Sequence, residues 1–241
     1  MRRAPLARPI RVLHLSDLHA SMFVPLSMID AAIAMGLAAK PDVICLTGDF
    51  ISHSHDNPAK SDYARVLRRL SAAAPAFAVM GNHDGGRWAA RIGGHHDHRM
   101  MDGILEESGI QLLHNRSAVV EVRGQTLAIA GVGDLWSDEV DGGSAFRGVD
   151  ERLPAVLLAH NPDTKDALGH YRWDLMLSGH THGGQVIVPF YGTPFVAVAD
   201  ARYLSGLKPW GERQVHVTRG VGNLLGVRFN CRPEVSVLEV G

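Results

Sequence analysis

Seven side chains with oxygen or nitrogen donors, and no sulfur among them, recur in short motifs along this chain. They are Asp17 and His19 in Asp17-Leu18-His19, Asp49 after Gly48, Asn82 in Gly81-Asn82-His83-Asp84, His160 after Leu157-Leu158-Ala159, and His180 and His182 in Ser178-Gly179-His180-Thr181-His182. Imidazoles mixed with carboxylates suit Mn, Fe, Zn or Co and argue against a pure Mg or Ca cage. Seven donors exceed what one catalytic ion needs if it keeps an open position. They suit two divalent ions that share one carboxylate and grip both the attacking and leaving oxygens of an in-line displacement. Each motif alone is a common turn or cap. Together, each following an apolar run, they point to one site.

The elements that must position them are legible in the hydrophobic pattern. Ile10 to Leu15, Asp42 to Leu46 and Phe77 to Met80 read as strands, with helices over Met28 to Ala39 and Asp62 to Ala73 between them. Three such repeats predict a parallel sheet with right-handed crossovers, and ligands gather beyond the carboxyl ends of such strands. Gly85 to Arg99 reads as looser chain and Met100 to Ser108 as a helix. Further strands are expected over Ala118 to Val122, Gln125 to Ala130, Ala155 to Ala159 and Leu175 to Leu177. The last third reads as hairpins built from Val186 to Val188, Phe195 to Val198, Gln214 to Thr218 and Val235 to Val240. Two face-to-face sheets with helices outside accommodate a parallel half followed by a more antiparallel one. Residues 1–9 form an N-terminal arm, and 10–241 are expected to form one domain.

These blocks, with Gly183-Gly184-Gln185 extending the last of them, resemble the five motifs of the calcineurin-like metallophosphoesterase superfamily. The extended block Ser178 to Gln185 resembles one branch in particular, which contains bacterial phosphodiesterases and a lipid A enzyme. Arg202-Tyr203-Leu204-Ser205-Gly206 and Thr218-Arg219-Gly220-Val221-Gly222 fit the same branch. The resemblance implies an α/β fold, a four-layer α/β/β/α sandwich. It implies that Asp17, His19 and His182 hold one metal, that Asn82, His160 and His180 hold a second, and that Asp49 bridges them. His83 would sit beside the phosphate as the non-ligand catalytic histidine. Asp84 would support the site by orienting an imidazole or the loop. The implied activity is hydrolysis of a phosphodiester or pyrophosphate by a metal-activated water, with Mn, Fe or Zn as cofactor. The alternatives are a phosphomonoesterase or nuclease of the same superfamily, or a non-catalytic metal-binding module.

Bulk properties narrow the partners. Across 241 residues, 24 Lys and Arg balance 25 Asp and Glu, for a net charge of -1. No global basic field exists to hold a polyanion, so nucleic acid is not the expected partner. Arg65, Arg68 and Arg69 read as a solvated helix face. Two cysteines, Cys45 and Cys231, make no disulfide framework. No apolar run reaches the length of a membrane span, and residues 1–11 lack a signal peptide's apolar segment. The expectation is a cytoplasmic protein, with peripheral contact to the inner membrane left open.

Nine of the 14 histidines fall outside the motifs. His14 is expected to pack inside a strand. His53 and His55 read as polar loop, and His95, His96 and His98 as a solvated cluster. His114, His170 and His216 carry no local motif. Apolar residues recur near the motifs: Met22 to Leu26, Phe190-Tyr191, Phe195, Leu207, Pro209, Trp210 and Leu224-Leu225. An apolar wall beside a phosphate site would suit a lipid-like substrate. The branch resemblance suggests a diacylated UDP-sugar such as UDP-2,3-diacylglucosamine.

Overall fold

The computed structural model describes residues 6–52, 57–194 and 196–241. His53, His55 and Phe195 therefore lie outside the described residues. The first half winds as its pattern predicts. Strands β1 (Ile10–Leu15), β2 (Val43–Thr47) and β3 (Ala76–Val79) alternate with helices α1 (Leu26–Leu37) and α2 (Lys60–Ser71). The stretch that reads as loose chain contains a short helix, α3 (Gly86–Arg91), ahead of α4 (Arg99–Ser108) and β4 (Gln111–Leu112). The four strands pair in parallel in the order β1-β2-β3-β4.

The second sheet contains β5 (Arg116–Val122), β6 (Gln125–Gly131), β7 (Ala155–Leu158), β8 (Leu175–Ser178), β9 (Gly206–Trp210) and β10 (Arg213–Val217), in the order β5-β6-β7-β8-β10-β9. Its four inner strands are parallel, and β5 and β9 close the edges antiparallel. The expected antiparallel half is thus a second parallel core with antiparallel edges. The last strand, β11 (Ser236–Val240), returns to the first sheet and pairs antiparallel with β1.

The expected hairpins differ for a local reason. Val186 to Val188 form only isolated bridges, to Phe229 and Gly192, and Val196 to Val198 form no strand. Pro189, Gly192 and Pro194 break the ladder there, because proline donates no hydrogen bond and glycine weakens a strand interior. Conversely, β9 tolerates Pro209 because it is an edge strand.

Period-two alternation sorts the side chains into three cores. Ile10, Val12, Val43, Cys45, Phe77 and Val79 of the first sheet meet Leu127, Ile129, Val156, Leu158, Leu175 and Leu177 of the second. The alternate residues Leu13, Leu15, Ile44, Leu46 and Ala78 face α1, α2 and α4 through Ile29, Ile33, Leu67, Leu70 and Ile104. Behind the second sheet, Leu157, Met176, Val215 and Val217 pack with Leu168, Trp173 and Tyr203. The result is helix, sheet, sheet, helix. The last layer is thin, since α5 (Gly142–Ala145) and α6 (Thr164–Ala167) are four residues each. No helix among the described residues is long and apolar enough to cross a membrane.

Candidate metal centre and active site

All five motifs follow parallel strands. Asp17 and His19 lie beyond β1, Asp49 beyond β2, Asn82 and His83 beyond β3, His160 beyond β7, and His180 and His182 beyond β8. The two sheets therefore deliver their strand ends to one rim. The chain bends sharply there. Asp17, His19, Asp49, His180 and His182 all have positive φ, between 47° and 70°. Few non-glycine residues adopt that conformation, and it persists only where surroundings over-determine it. Two glycines make the crowding possible. A Cβ on Gly81 would sit 2.3 Å from Asp49 Oδ1, and one on Gly179 2.1 Å from Asp17 Oδ2.

Asp49 lies at the centre. Its Oδ1 accepts the His83 N–H at 2.9 Å. Its Oδ2 is 3.4 Å from His19 Nε2 on one side and 3.2 Å from His160 Nε2 on the other. Beyond His19, His182 Nε2 lies 3.0 Å from His19 Nε2 and 3.4 Å from Asp17 Oδ1. Beyond His160, His180 Nδ1 lies 3.2 Å from His160 Nε2 and 2.9 Å from Asn82 Oδ1. Two donor groups thus flank one carboxylate oxygen, and all seven residues are buried.

These donors fit cations better than they fit one another. His160 Nδ1 must donate to the Thr47 carbonyl, 2.6 Å away, because a carbonyl only accepts. A neutral His160 then turns a lone pair at the Asp49 carboxylate. Burial alone would lower His160, but the Asp49 charge, backed by Asp17 and Asp134, holds it up. Burial alone would likewise raise Asp49, and His160 and His83 pull it well below the usual carboxylate range. A proton held between them does what a cation beside Asp49 would do. His180 is pushed down to about 3 by burial and then by His160, so its ring is neutral and able to coordinate. Burial, followed by His19 and Arg228, lowers His182 as well. The donor separations of 2.9–3.4 Å bracket the roughly 3.3 Å edge of a tetrahedron with ~2.0 Å bonds.

Asp84 does not touch these imidazoles. Its Oδ2 accepts the N–H groups of Asp49 and Gly81, each at 2.8 Å, and its Oδ1 those of Phe50 at 2.7 Å and Ile51 at 3.3 Å. It ties the loop that carries Asp49 to the loop that carries Asn82. Of the two supporting roles expected for it, the geometry fits the loop. Burial and the nearby Asp49 charge push Asp84 up to about 7, against the pull of its N–H donors.

His83 Nδ1 donates to the Ser52 carbonyl at 2.9 Å, and burial holds the ring down to about 4. Its ring meets Trp88 edge-on, with centroids 4.8 Å apart. Trp136 meets His180 edge-on at 4.2 Å and lies 5.6 Å from Trp88. Neither tryptophan belongs to a sequence motif. The only hint is a large aromatic in polar, glycine-containing stretches of sequence, Trp88 on the short helix α3 and Trp136 in a turn. Arg228 was also missed. Its Nη2 lies 3.2 Å from His182 Nδ1, and the guanidinium caps the carbonyls of Gly222 and Arg219.

The remaining histidines separate. His14 and His216 face each other across the sheets, Nδ1 to Nδ1 at 3.0 Å, with His14 Nε2 2.8 Å from Thr47 Oγ1. His95 Nε2 meets Asn57 Nδ2 at 3.1 Å. His98 leaves the expected solvated cluster: it and His114, which carries no local motif, both turn toward Glu139. His170 packs against Tyr171.

The apolar residues divide as well. Met22, Phe23, Phe190, Tyr191, Leu207 and Leu225 are exposed. Val24 is buried, and Trp210 stacks on Trp173 as part of the core. Gln185, three residues past His182, holds the Leu224 backbone by two 2.9 Å bonds, one in each direction.

Residues 10–184 match the family described as calcineurin-like phosphoesterase. The chain belongs to that family. It is a phosphoric ester hydrolase. It is 44% identical over 236 residues to Phosphodiesterase YaeI of Escherichia coli, covering 97% of this chain and 83% of the relative. It is 26% identical over 281 residues to UDP-2,3-diacylglucosamine pyrophosphatase LpxG of Chlamydia trachomatis, covering 95% and 83%. Among solved structures, a 5'-nucleotidase precursor from Thermus thermophilus superposes with a TM-score of 0.56 at 13% identity, covering 96% of this chain and 54% of that one. That likeness concerns the fold alone.

Proposed function

We propose that this chain is a dinuclear metal-dependent phosphodiesterase. Asp17, His19 and His182 would hold one ion, and Asn82, His160 and His180 the other. The observation that supports this most is the placement of Asp49 Oδ2 between two imidazole groups, with Asp49 Oδ1 occupied by the His83 N–H. Only one carboxylate oxygen is left to serve both sides. When bound, the two ions would supply Lewis acidity at the phosphate and a water acidic enough to ionise near neutral pH.

The chain's own groups do the rest. Thr47 O and Ser52 O fix the ring orientations of His160 and His83. In the free protein His83 is neutral at pH 7, with its proton on Nδ1. An arriving phosphate brings negative charge, which raises the affinity of His83 for a second proton on Nε2. His83 then stabilises the phosphate charge or protonates the leaving oxygen. Trp88 and Trp136 cover His83 and His180 and keep bulk water from that side. YaeI, a phosphodiesterase by name, supports a diester over a monoester.

A lipid-linked substrate is a second reading, favoured by the exposed Phe23 and Leu225. Phe23 lies against Gly226, the residue after Leu225, and both Phe23 and Leu225 are exposed, so an acyl chain would meet apolar surface there. LpxG, a diacylglucosamine pyrophosphatase by name, agrees with it. The test is metal-stripped protein reconstituted with Mn, Fe or Zn and offered bis-p-nitrophenyl phosphate, p-nitrophenyl phosphate and an acylated UDP-sugar. Metal-dependent cleavage of the diester supports the first reading. Turnover of the monoester alone contradicts it, and an acylated substrate no better than the simple diester contradicts the second.

A further inference from the structure

Three donors outside the catalytic rim converge from separate parts of the chain. His98 precedes the start of α4, His114 sits between β4 and β5, and Glu139 lies in the loop between β6 and α5. Glu139 Oε2 is 2.9 Å from His98 Nε2 and 3.9 Å from His114 Nε2, and a donor atom of each residue lies within 4.8 Å of the other two. Those separations straddle the roughly 3.3 Å edge expected for tetrahedral zinc with ~2.0–2.1 Å bonds. The two rings lie 5.3 Å apart and do not stack.

The backbone holds this arrangement from behind. Asn115 Nδ2 donates to the Glu139 carbonyl at 2.8 Å, and the Glu139 N–H donates to the Asp134 carbonyl at 3.0 Å. Gly86 lets the carboxylate approach, since a Cβ there would lie 2.6 Å from Glu139 Oε1. In front, His98 and His114 line an open cavity of about 530 Å³ with Asp102 and Glu106. Two further carboxylates and room for water suit a dication with an open position, although Arg116 on the same wall weakens the field.

We propose that His98, His114 and Glu139 form a separate transition-metal site, suited to zinc, that braces the catalytic rim. Two imidazoles and one carboxylate leave the fourth position to water, as in other three-ligand zinc sites. The bracing follows from connectivity. Glu139 lies in the same loop as Trp136, which packs on His180. Its carboxylate presses on Gly86, two residues before Trp88, which packs on His83. An ion here would pin both tryptophan-bearing segments to α4.

The test separates this site from the catalytic pair. Asp49→Ala protein, stripped by chelator, is titrated with zinc by calorimetry and followed by thermal unfolding. One equivalent should bind and raise the melting temperature. Asp49→Ala/His114→Ala and Asp49→Ala/Glu139→Gln should bind none and show no shift, with circular dichroism confirming that each is folded. The proposal is overturned if Asp49→Ala binds no zinc, or if both added substitutions leave the equivalent in place. If the unaltered protein binds two ions and Asp49→Ala none, this site fails and the dinuclear reading survives. A single ion that persists in Asp49→Ala and leaves with His114→Ala has the opposite meaning.

Discussion

Replacing Asp84 with Asn keeps the side-chain volume and removes one of two acceptor oxygens. Four backbone N–H groups depend on that carboxylate, two on each oxygen. Whichever way the amide turns, its NH2 faces two buried N–H donors. The longest bond, from Ile51 at 3.3 Å, loses least, so the amide nitrogen should take the Phe50/Ile51 side. Leaving a buried donor unmet costs about 1–3 kcal/mol. With one short and one long bond lost, the variant should be destabilised by about 3 kcal/mol. For a chain of this size that is a fall of roughly 6–12 °C in melting temperature. Because Asp49 and Gly81 share the other oxygen, metal affinity should weaken but persist. Denaturant unfolding and metal titration on the same preparation provide the check. Unfolding within about 0.5 kcal/mol of the unaltered protein would refute the view that this carboxylate holds the two ligand loops together.

Asp49→Ala should lose both catalytic ions and all hydrolysis, read by metal analysis of chelator-exchanged protein beside a diester assay; retained activity counts against the bridge. His83→Ala should keep its metal content and lose about 10²–10⁴-fold in turnover, the usual worth of a positioned acid or base. His14 and His216 supply a pH dependence. Burial, and for His14 the neighbouring His216, lowers both, so the folded state keeps them neutral while the unfolded chain protonates near 6.5. The unfolded state therefore binds more protons below that point, and stability should fall as pH drops from 6.5, by up to about 1.4 kcal/mol per unit for each ring. In metal-free protein, a His14→Asn/His216→Asn variant should show a shallower slope in urea melts at pH 7, 6 and 5; an equal slope would show that the pair is not its source.

The strand-end motifs were readable because each short apolar run is a parallel strand buried on both faces, so its end is fixed by the first polar residue. Asp17, Asp49 and His160 each stand two residues past the end of such a strand. Trp88 comes from the six-residue helix α3, too short to show a periodicity, and Trp136 and Arg228 come from loops, so only folding brings the three to the rim. The pairing of β11 with β1 was equally hidden. Val237 and Leu238 show an ordinary strand pattern, and nothing local distinguishes a hairpin partner from a strand 226 residues away. Glu139 illustrates the same limit: alone in its loop, it acquires chemical meaning only beside His98 and His114.

Anomalous scattering from crystals of manganese-loaded protein would show whether Asp49 serves two cations at once. Two peaks about 3.5–4 Å apart should flank one oxygen of Asp49, one near His19 and His182 and the other near His160 and His180. A single peak at this rim, or two peaks with Asp49 bound to only one of them, would rule out a shared carboxylate.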